Sequence, residues 1–444
     1  MTQSLPTDLK ARLASLTPEA RARLRARAAQ LRPRPRTTPG QLRLWHAHHA
    51  VAGRPTDVVC QAVHLTGARV DLDVLAERIR GFAQAHEALR TTFEDRDGVQ
   101  SVVHSRLPPR VTRARCSGAD EAHALARELA HEPFDLAAGP LLRAVLAEGA
   151  SADEAWLLIV VHNLVFDAWS FELLLDELAR DAAAAAPAAG RFSGFAEEQA
   201  RWLDSAAGRA AAAYWAAEVA GAPPPLPTDR PRAAATSRAG GHVAFALPDS
   251  VARGIAESAR REAATAYAGW LAVTWAAFAE FGAREDVMLG TFTAGRDRPS
   301  VERTAGYLIN VLPVRLRDPG DGSHAARIRV ARDVTRAGLR HAAYPGELIA
   351  VPRRVPGTHP LFDAVFIFDN LGANARTIQG ARVTTTDVDK GTVRYDLTLA
   401  VYPGADGVSG WLDYDTELYE EATARRLAER FTALAKQASG NAGG

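Results

Sequence analysis

Two kinds of apolar run alternate along this chain, one with the length of a strand and one with the spacing of a helix face. Ala155 to Val161 is an unbroken apolar run, and beyond it Phe171, Leu174, Leu175 and Leu178 recur at i, i+3, i+4 and i+7. The polar cluster between them, His162 to Ser170, is therefore placed on a strand-to-helix turn. Such turns hold side chains rigidly where a rigid scaffold displays its functional groups. Elsewhere the pattern predicts a strand over Val58 to Leu65, a helix over Asp73 to Ala85 and strands over Gly241 to Leu247 and Asp286 to Phe292. One long helix is expected from about Asp249 to Phe281. At the N-terminus, Leu9 to Leu31 reads as helix, with Thr17, Pro18 and Glu19 as a cap-then-proline restart, and Arg32 to Pro39 breaks it. Three consecutive prolines within Ala220 to Arg232 predict an extended spacer.

The cluster itself reads His162, Asn163, Leu164, Val165, Phe166, Asp167, Ala168, Trp169, Ser170. It resembles the signature of the condensation domains of nonribosomal peptide synthetases: two histidines, three variable residues, aspartate and glycine, often followed by Trp-Ser. Asp167, Trp169 and Ser170 fix the register, so His162 takes the first histidine position, Asn163 the second and Ala168 the glycine. An asparagine cannot take up a proton. Further stretches resemble other motifs of the family, in family order. They are Gln41 to Ala50, His86 to Phe93, Pro133 to Arg143, Thr293 to Arg298, Gly306 to Arg315, His359 to Asn370 and Tyr395 to Leu399. Trp202, Tyr214 and Trp215, with the proline-rich spacer, are similar to the family's connection between lobes.

The resemblance implies an α/β (α+β) fold of two chloramphenicol-acetyltransferase-like αβ sandwich lobes, meeting in a V-shaped pseudo-dimer with a central tunnel. The expected divisions are an N-terminal helical arm or linker over 1–35, a first lobe with the signature over 36–186 and a second lobe over 187–444. The tunnel would receive phosphopantetheine arms, supplied by partner acyl- or aminoacyl-carrier proteins acting in trans, with no cofactor attached to this chain. A free small-molecule amine could also serve as acceptor. The implied reaction joins an acyl thioester to an amine as an amide. Well-oriented reactants gain roughly 7–11 kcal/mol and a general base adds about 3–5 kcal/mol, so positioning is the larger effect. With Asn163 orienting instead of accepting a proton, an amine is the expected nucleophile, since an alcohol needs a base.

Site roles follow from the same resemblance. Asp167 is expected to pair with Arg296 of the second lobe, with capping of the following helix as an alternative or accompanying role. His162 is expected to be hydrogen-bonded to backbone and is the nearest substitute base. Trp169 is read as a core or tunnel-wall aromatic and Arg90 as a fold-supporting hydrogen-bond donor. Ala168 places a methyl group where the family's glycine permits positive φ or close approach of an arm. Tyr307, Asn310, Tyr395 and Asp396 are placed near the tunnel, with packing as the default role and Asp396 able to accept a hydrogen bond on the acceptor side.

Composition narrows the alternatives. The chain has 444 residues, 47% hydrophobic and 24% charged, enough for two lobes of roughly 150–250 residues. A net charge of +1 provides no field to gather nucleic acid. No apolar run reaches the roughly 18–20 residues of a membrane helix, and charged residues occupy the N-terminus where a signal peptide has its apolar core, so a cytoplasmic location is expected. Cys60 and Cys116 read as reduced packing residues. His46 and His49 share a helical face, but no further ligands stand at zinc spacing, and no metal is expected. Neither a carrier domain's attachment-serine pattern nor adenylate-forming motifs are visible. Internal pairing of two similar lobes makes a monomer the expectation. The competing reading is a catalytically silent relative that recruits carrier proteins or tailoring enzymes.

Overall fold

The computed structural model describes residues 35–50, 54–181, 188–232, 237–317, 320, 322–349, 361–362, 364–368, 376–404 and 407–440. The N-terminal arm expected over 1–35 lies outside them except for its last residue.

The first lobe opens with α1 (Pro39–Ala50), β1 (Val58–Thr66), α2 (Leu72–Ala85), the hairpin β2 (Thr91–Asp95) and β3 (Val99–Val103), β4 (Arg110–Arg115) and α3 (Ala119–His131). It continues with β5 (Leu142–Glu148), β6 (Glu154–His162) and α4 (Ala168–Ala179). The connection carries α5 (Phe192–Leu203) and α6 (Ala206–Val219). The second lobe holds β7 (Gly240–Leu247), α7 (Asp249–Arg261), α8 (Ala266–Phe281), β8 (Asp286–Thr293), the short α9 (Pro299–Glu302), β9 (Asn310–Arg317), α10 (His324–Leu339) and β10 (Ala364–Phe368). Then follow β11 (Thr377–Ile378), β12 (Ala381–Asp387), β13 (Leu397–Gly404), β14 (Gly407–Asp415) and α11 (Glu421–Gly440).

Two six-stranded sheets result, in the orders β11-β12-β1-β6-β5-β4 and β7-β14-β13-β10-β8-β9. In the first, β6 lies between β1 and β5, antiparallel to both, with Val58 opposite His162 and Leu142 opposite Val161. A strand enclosed by neighbours and covered by helices can be apolar throughout, which is why Ala155 to Val161 shows no alternation. In the second, β10 runs parallel to β13 and β8, the geometry of a crossover.

Chain order and lobe membership differ. Strands β11 and β12 follow residue 187 yet complete the first sheet, β12 pairing antiparallel with β1 from Gln61↔Asp387 to Thr66↔Arg382. Phe192 and Phe195 of α5 also join the first core. The sequence boundary at 186/187 assigns these elements to the second lobe.

The long helix expected over Asp249 to Phe281 is two helices. Ala263 adopts φ 51°, and the Ala264 N–H returns to the Ala259 carbonyl at 2.8 Å, closing α7 with a left-handed residue that is not glycine. Thr265 then caps α8, its side chain accepting from the Ala268 N–H at 3.3 Å. Apolar spacing continues through the break because both helices bury a face on the same sheet. The proline-rich segment is laid along the second lobe: Leu226 is buried, Pro225 accepts from Arg284 at 3.3 Å and the Asp229 N–H meets the Leu418 carbonyl at 3.0 Å.

Candidate functional site: the turn after β6

Strand β6 ends at His162, and a single 3-10 turn, Asn163–Val165, leads through Phe166 and Asp167 into α4. Asp167 is the N-cap of that helix and much more. One carboxylate oxygen accepts from the Ser170 N–H at 2.8 Å, the Ser170 hydroxyl at 2.7 Å and Arg296 at 3.0 Å; the other accepts from Arg296 at 2.7 Å and the Leu308 N–H at 3.0 Å. Both charged side chains are sealed from solvent. The carboxylate has every acceptor site filled, the condition under which a buried ion pair is tolerated. Arg296 also donates to the Ala294 and Thr304 carbonyls at 2.8 and 2.9 Å, so one fork pins the 294–308 loop of the second lobe onto the start of α4. Gly295, at φ 64°, has no room for a side chain: a Cβ there would stand 2.1 Å from the Leu308 carbonyl oxygen. Capping and pairing are both present at Asp167.

The helix start also settles Ala168. It is the exposed first residue of α4 and is absent from the positive-φ residues, so the backbone here does not demand glycine. Trp169 donates its indole N–H to the Glu302 carbonyl at 2.9 Å and lies beneath the Arg296 guanidinium. Arg90 stands apart, donating to the Gln84 carbonyl at 2.9 Å and to the His104 carbonyl, which ties the β2–β3 hairpin to α2.

Hydrogen-bond direction fixes the state of His162. Its Nδ1 accepts from the Leu164 N–H at 3.1 Å, which puts the ring proton on Nε2, and Nε2 faces Nδ1 of His48 at 3.2 Å. His48, on α1, is half-buried and is itself hydrogen-bonded to the Phe134 backbone. Burial pushes His162 down to about 3, with His48 and Arg394 acting in the same direction against Asp57. His162 is therefore neutral, and both of its nitrogens are committed. It does not fit the substitute-base role.

Asn163 is different. Its side chain is 8% exposed, and its Oδ1 is buried with no hydrogen-bond partner. Gln41 of α1 supports the turn from below, donating to the Leu164 carbonyl at 2.9 Å and closing a reciprocal cap with Thr38 at 3.2 Å. Strand pairing of Val58 with His162 brings Asp57 to the same end of the sheet, where Arg394 meets it at 2.9 Å. Arg43, also on α1, reaches the Tyr307 hydroxyl at 3.1 Å and Glu347 at 3.3 Å. Burial opposes the charge on both arginines but is outweighed, by Tyr307, Tyr395, Asp57 and Glu347 at Arg43, and by Asp57 and the two tyrosines at Arg394. Tyr307 is pushed up to about 12, chiefly by burial. Close approach of α1 depends on Gly40, whose Cβ would stand 2.8 Å from the Tyr307 ring.

The remaining expected residues divide. Tyr307 and Tyr395 belong to this polar group between the lobes. Asn310 is spent on structure, donating to the Ala342 and Tyr344 carbonyls at 2.9 and 2.6 Å and accepting from the Gly346 N–H at 2.8 Å. Asp396 is no acceptor for substrate: it is 1% exposed and held by Arg232, and by Arg238 at 2.8 Å. Two cations on one buried carboxylate leave it no free lone pair in a useful direction. Sequence reading passed over His48, Gln41, Arg43, Asp57 and Arg394. Only Gln41, three residues after Thr38 as in a capping box, carried a local signal.

The family model for the condensation domain matches residues 36–442. The chain belongs to the condensation-domain family. It is 30% identical over 424 residues to a linear gramicidin synthase of Brevibacillus parabrevis, a match that covers 90% of this chain but only 8% of that synthase. Among solved structures, the condensation domain of the monacolin K polyketide synthase MokA superposes with a TM-score of 0.82 at 21% identity, covering 92% of this chain and 97% of that one. The X-domain from teicoplanin biosynthesis gives 0.81 at 25% identity, covering 93% and 97%. The two six-stranded lobes are the halves of the pseudo-dimer these structures share. No described helix is long and apolar enough to cross a membrane.

Proposed function

We propose that this condensation domain joins a carrier-bound acyl thioester to an amine by holding the two in register, with Asn163 as the orienting group in place of a base. The amine nitrogen attacks the thioester carbonyl carbon, the C–N bond forms, the C–S bond breaks, and the departing thiolate takes up the proton the nitrogen sheds. A free-base amine needs no prior deprotonation, and positioning supplies the larger part of the acceleration, on the order of 7–11 kcal/mol. One observation carries the reading: the turn is locked at Asp167 by both lobes, while the Asn163 carboxamide beside it has an unspent acceptor. His162 and His48 engage each other and so stay out of the proton transfer. Acyl- and aminoacyl-carrier proteins would bring their phosphopantetheine arms in trans to a monomeric, cytoplasmic protein.

Mass spectrometry of the protein mixed with acyl-loaded carrier and amine tests this. Amide above the uncatalysed background, reduced about 10-fold or more in Asn163→Ala, is expected; a native acceptor that proves to be a hydroxyl would overturn it. Asn163→His sharpens the test, since a gain in rate marks a weakened ordinary enzyme and a loss marks chemistry fitted to the carboxamide.

Full-length similarity to the X-domain, which has been solved in complex with OxyB, favours a second reading in which the chain recruits a carrier or tailoring enzyme without turnover. A stoichiometric complex with no product would select it.

A further inference from the structure

The second lobe contains a cavity that the reaction does not use. Among the described residues, β8, the edge strand β9, α6, α8 and α10 enclose about 170 Å³, lined by the aromatic rings of Tyr214, Trp215, Tyr267 and Phe292 and by the aliphatic Leu312 and Val334. Close-packed interiors seldom leave a void of this size, and an engineered apolar cavity of about 150 Å³ takes up benzene. The lining is not wholly apolar. Thr293 of β8 and Thr335 of α10 both face the cavity, and both hydroxyl oxygens are buried without a hydrogen-bond partner.

Comparable threonines nearby are satisfied. Thr274 returns its hydroxyl to the Trp270 carbonyl one turn back at 2.9 Å, and Thr291 shares a hydrogen bond with the Tyr267 hydroxyl at 2.7 Å. Thr335 sits in a helix where the same back-bond is available, yet it does not make it. Unpaired buried hydroxyls are uncommon in folded proteins, and two on one cavity call for an acceptor that both can reach. A turn of about 120° about χ1 exchanges hydroxyl and methyl, so either can be presented to a ligand oxygen.

Thr335, Tyr267 and Leu339 also line a second, larger cavity of about 360 Å³, bordered by Arg332 and Arg336, one helical turn apart on α10, and by the first residues of α8. Arg332 is paired with Asp333 at 2.8 Å, while Arg336 donates to the Ala263 carbonyl at 2.9 Å. The passage from one cavity to the other thus runs from aromatic walls, past hydroxyl donors, to cationic side chains and a helix N-terminus, an order that suits an apolar ring followed by an anion. Glu218 lines the aromatic cavity, from α6, which places the anion at the shared Thr335 end.

We propose that this cavity is a ligand site for a monocyclic aromatic monocarboxylate, its ring among Tyr214, Trp215 and Phe292 and its carboxylate on Thr335 towards Arg336. The site is separate from Asn163, and binding needs neither carrier nor turnover, so it stands whichever activity the turn after β6 supports.

The test is saturation-transfer NMR and calorimetry on the whole chain, with phenylacetate as probe and 2-phenylethanol as the matched neutral compound. Saturable one-to-one binding of phenylacetate is expected, at least 5-fold tighter than the alcohol. Val334→Phe, which fills the cavity, should abolish it, and Thr335→Val, which keeps shape and removes the hydroxyl, should weaken it about 5- to 10-fold with the melting temperature held. No saturable binding, equal affinity for the alcohol, or affinity unchanged by Thr335→Val would overturn the assignment. Should Val334→Phe fail to fold, the Thr335→Val arm decides alone.

Discussion

Asp167 and Asn163 lie on one turn, four positions apart, and the fold treats them in opposite ways. Asp167 has its acceptor sites filled by Ser170, Arg296 and Leu308, and it fastens a loop of the second lobe to a helix of the first. Asn163 is buried beside it with its carboxamide oxygen unpartnered. A residue whose bonds are all internal maintains shape, and one left incomplete inside a rigid frame has capacity for something else to complete it. The difference separates the architecture of this site from its chemistry.

Substitutions at the two ends should move stability by very different amounts. Asp167→Asn leaves the Arg296 charge sealed away from water without its counter-ion, and should cost about 3–5 kcal/mol in urea unfolding. If it costs less than about 1 kcal/mol, the contrast is wrong at its stronger end.

Acid should act next most strongly, through imidazoles rather than through the asparagine. Burial lowers His162 to about 3, and His86 and His324 to about 4, below the ordinary value near 6.5. The unfolded chain then binds more protons than the folded one across that window, so stability is complete above about pH 6.5 and falls as pH drops towards 4. At about 1.4 kcal/mol per pH unit for each group, His162 alone loses about 2–3 kcal/mol between pH 6.5 and 4.5. Thermal melts of His162→Gln should show a shallower slope over that range.

Gln41→Ala removes the brace under the turn together with its reciprocal cap on Thr38, and about 1–2 kcal/mol should go. Asn163→Ala should cost least, about 0–1 kcal/mol, because it deletes an oxygen that had no partner. Amide formation should nevertheless fall in that variant while it stays folded. A large stability loss at residue 163 would put it with Asp167 as an architectural residue.

The turn itself was legible in the sequence because two periodicities change at His162: the unbroken run of a central strand gives way to the i, i+3, i+4 spacing of α4. Asp167 and Arg296 were paired by family resemblance, and the geometry of that pair adds Ser170 and Leu308. Other features depend on distant chain and left no local pattern. His48 and Arg43 were only two polar residues on a helix until α1 packed on Leu164 and Tyr307. The helix break at Ala263 was hidden because both α7 and α8 keep an apolar face to one sheet. Asp396 looked available beside Tyr395, but Arg232 and Arg238 arrive from a segment some 160 residues earlier and occupy it.

Strand exchange between the lobes has a consequence for synthesis. The edge of β1 waits for β12, some 300 residues further along the chain, so on the ribosome the first half emerges with a run of unsatisfied backbone groups that nothing yet covers. Any fragment ending before residue 381 carries the same open edge for good, and should self-associate where the intact chain does not.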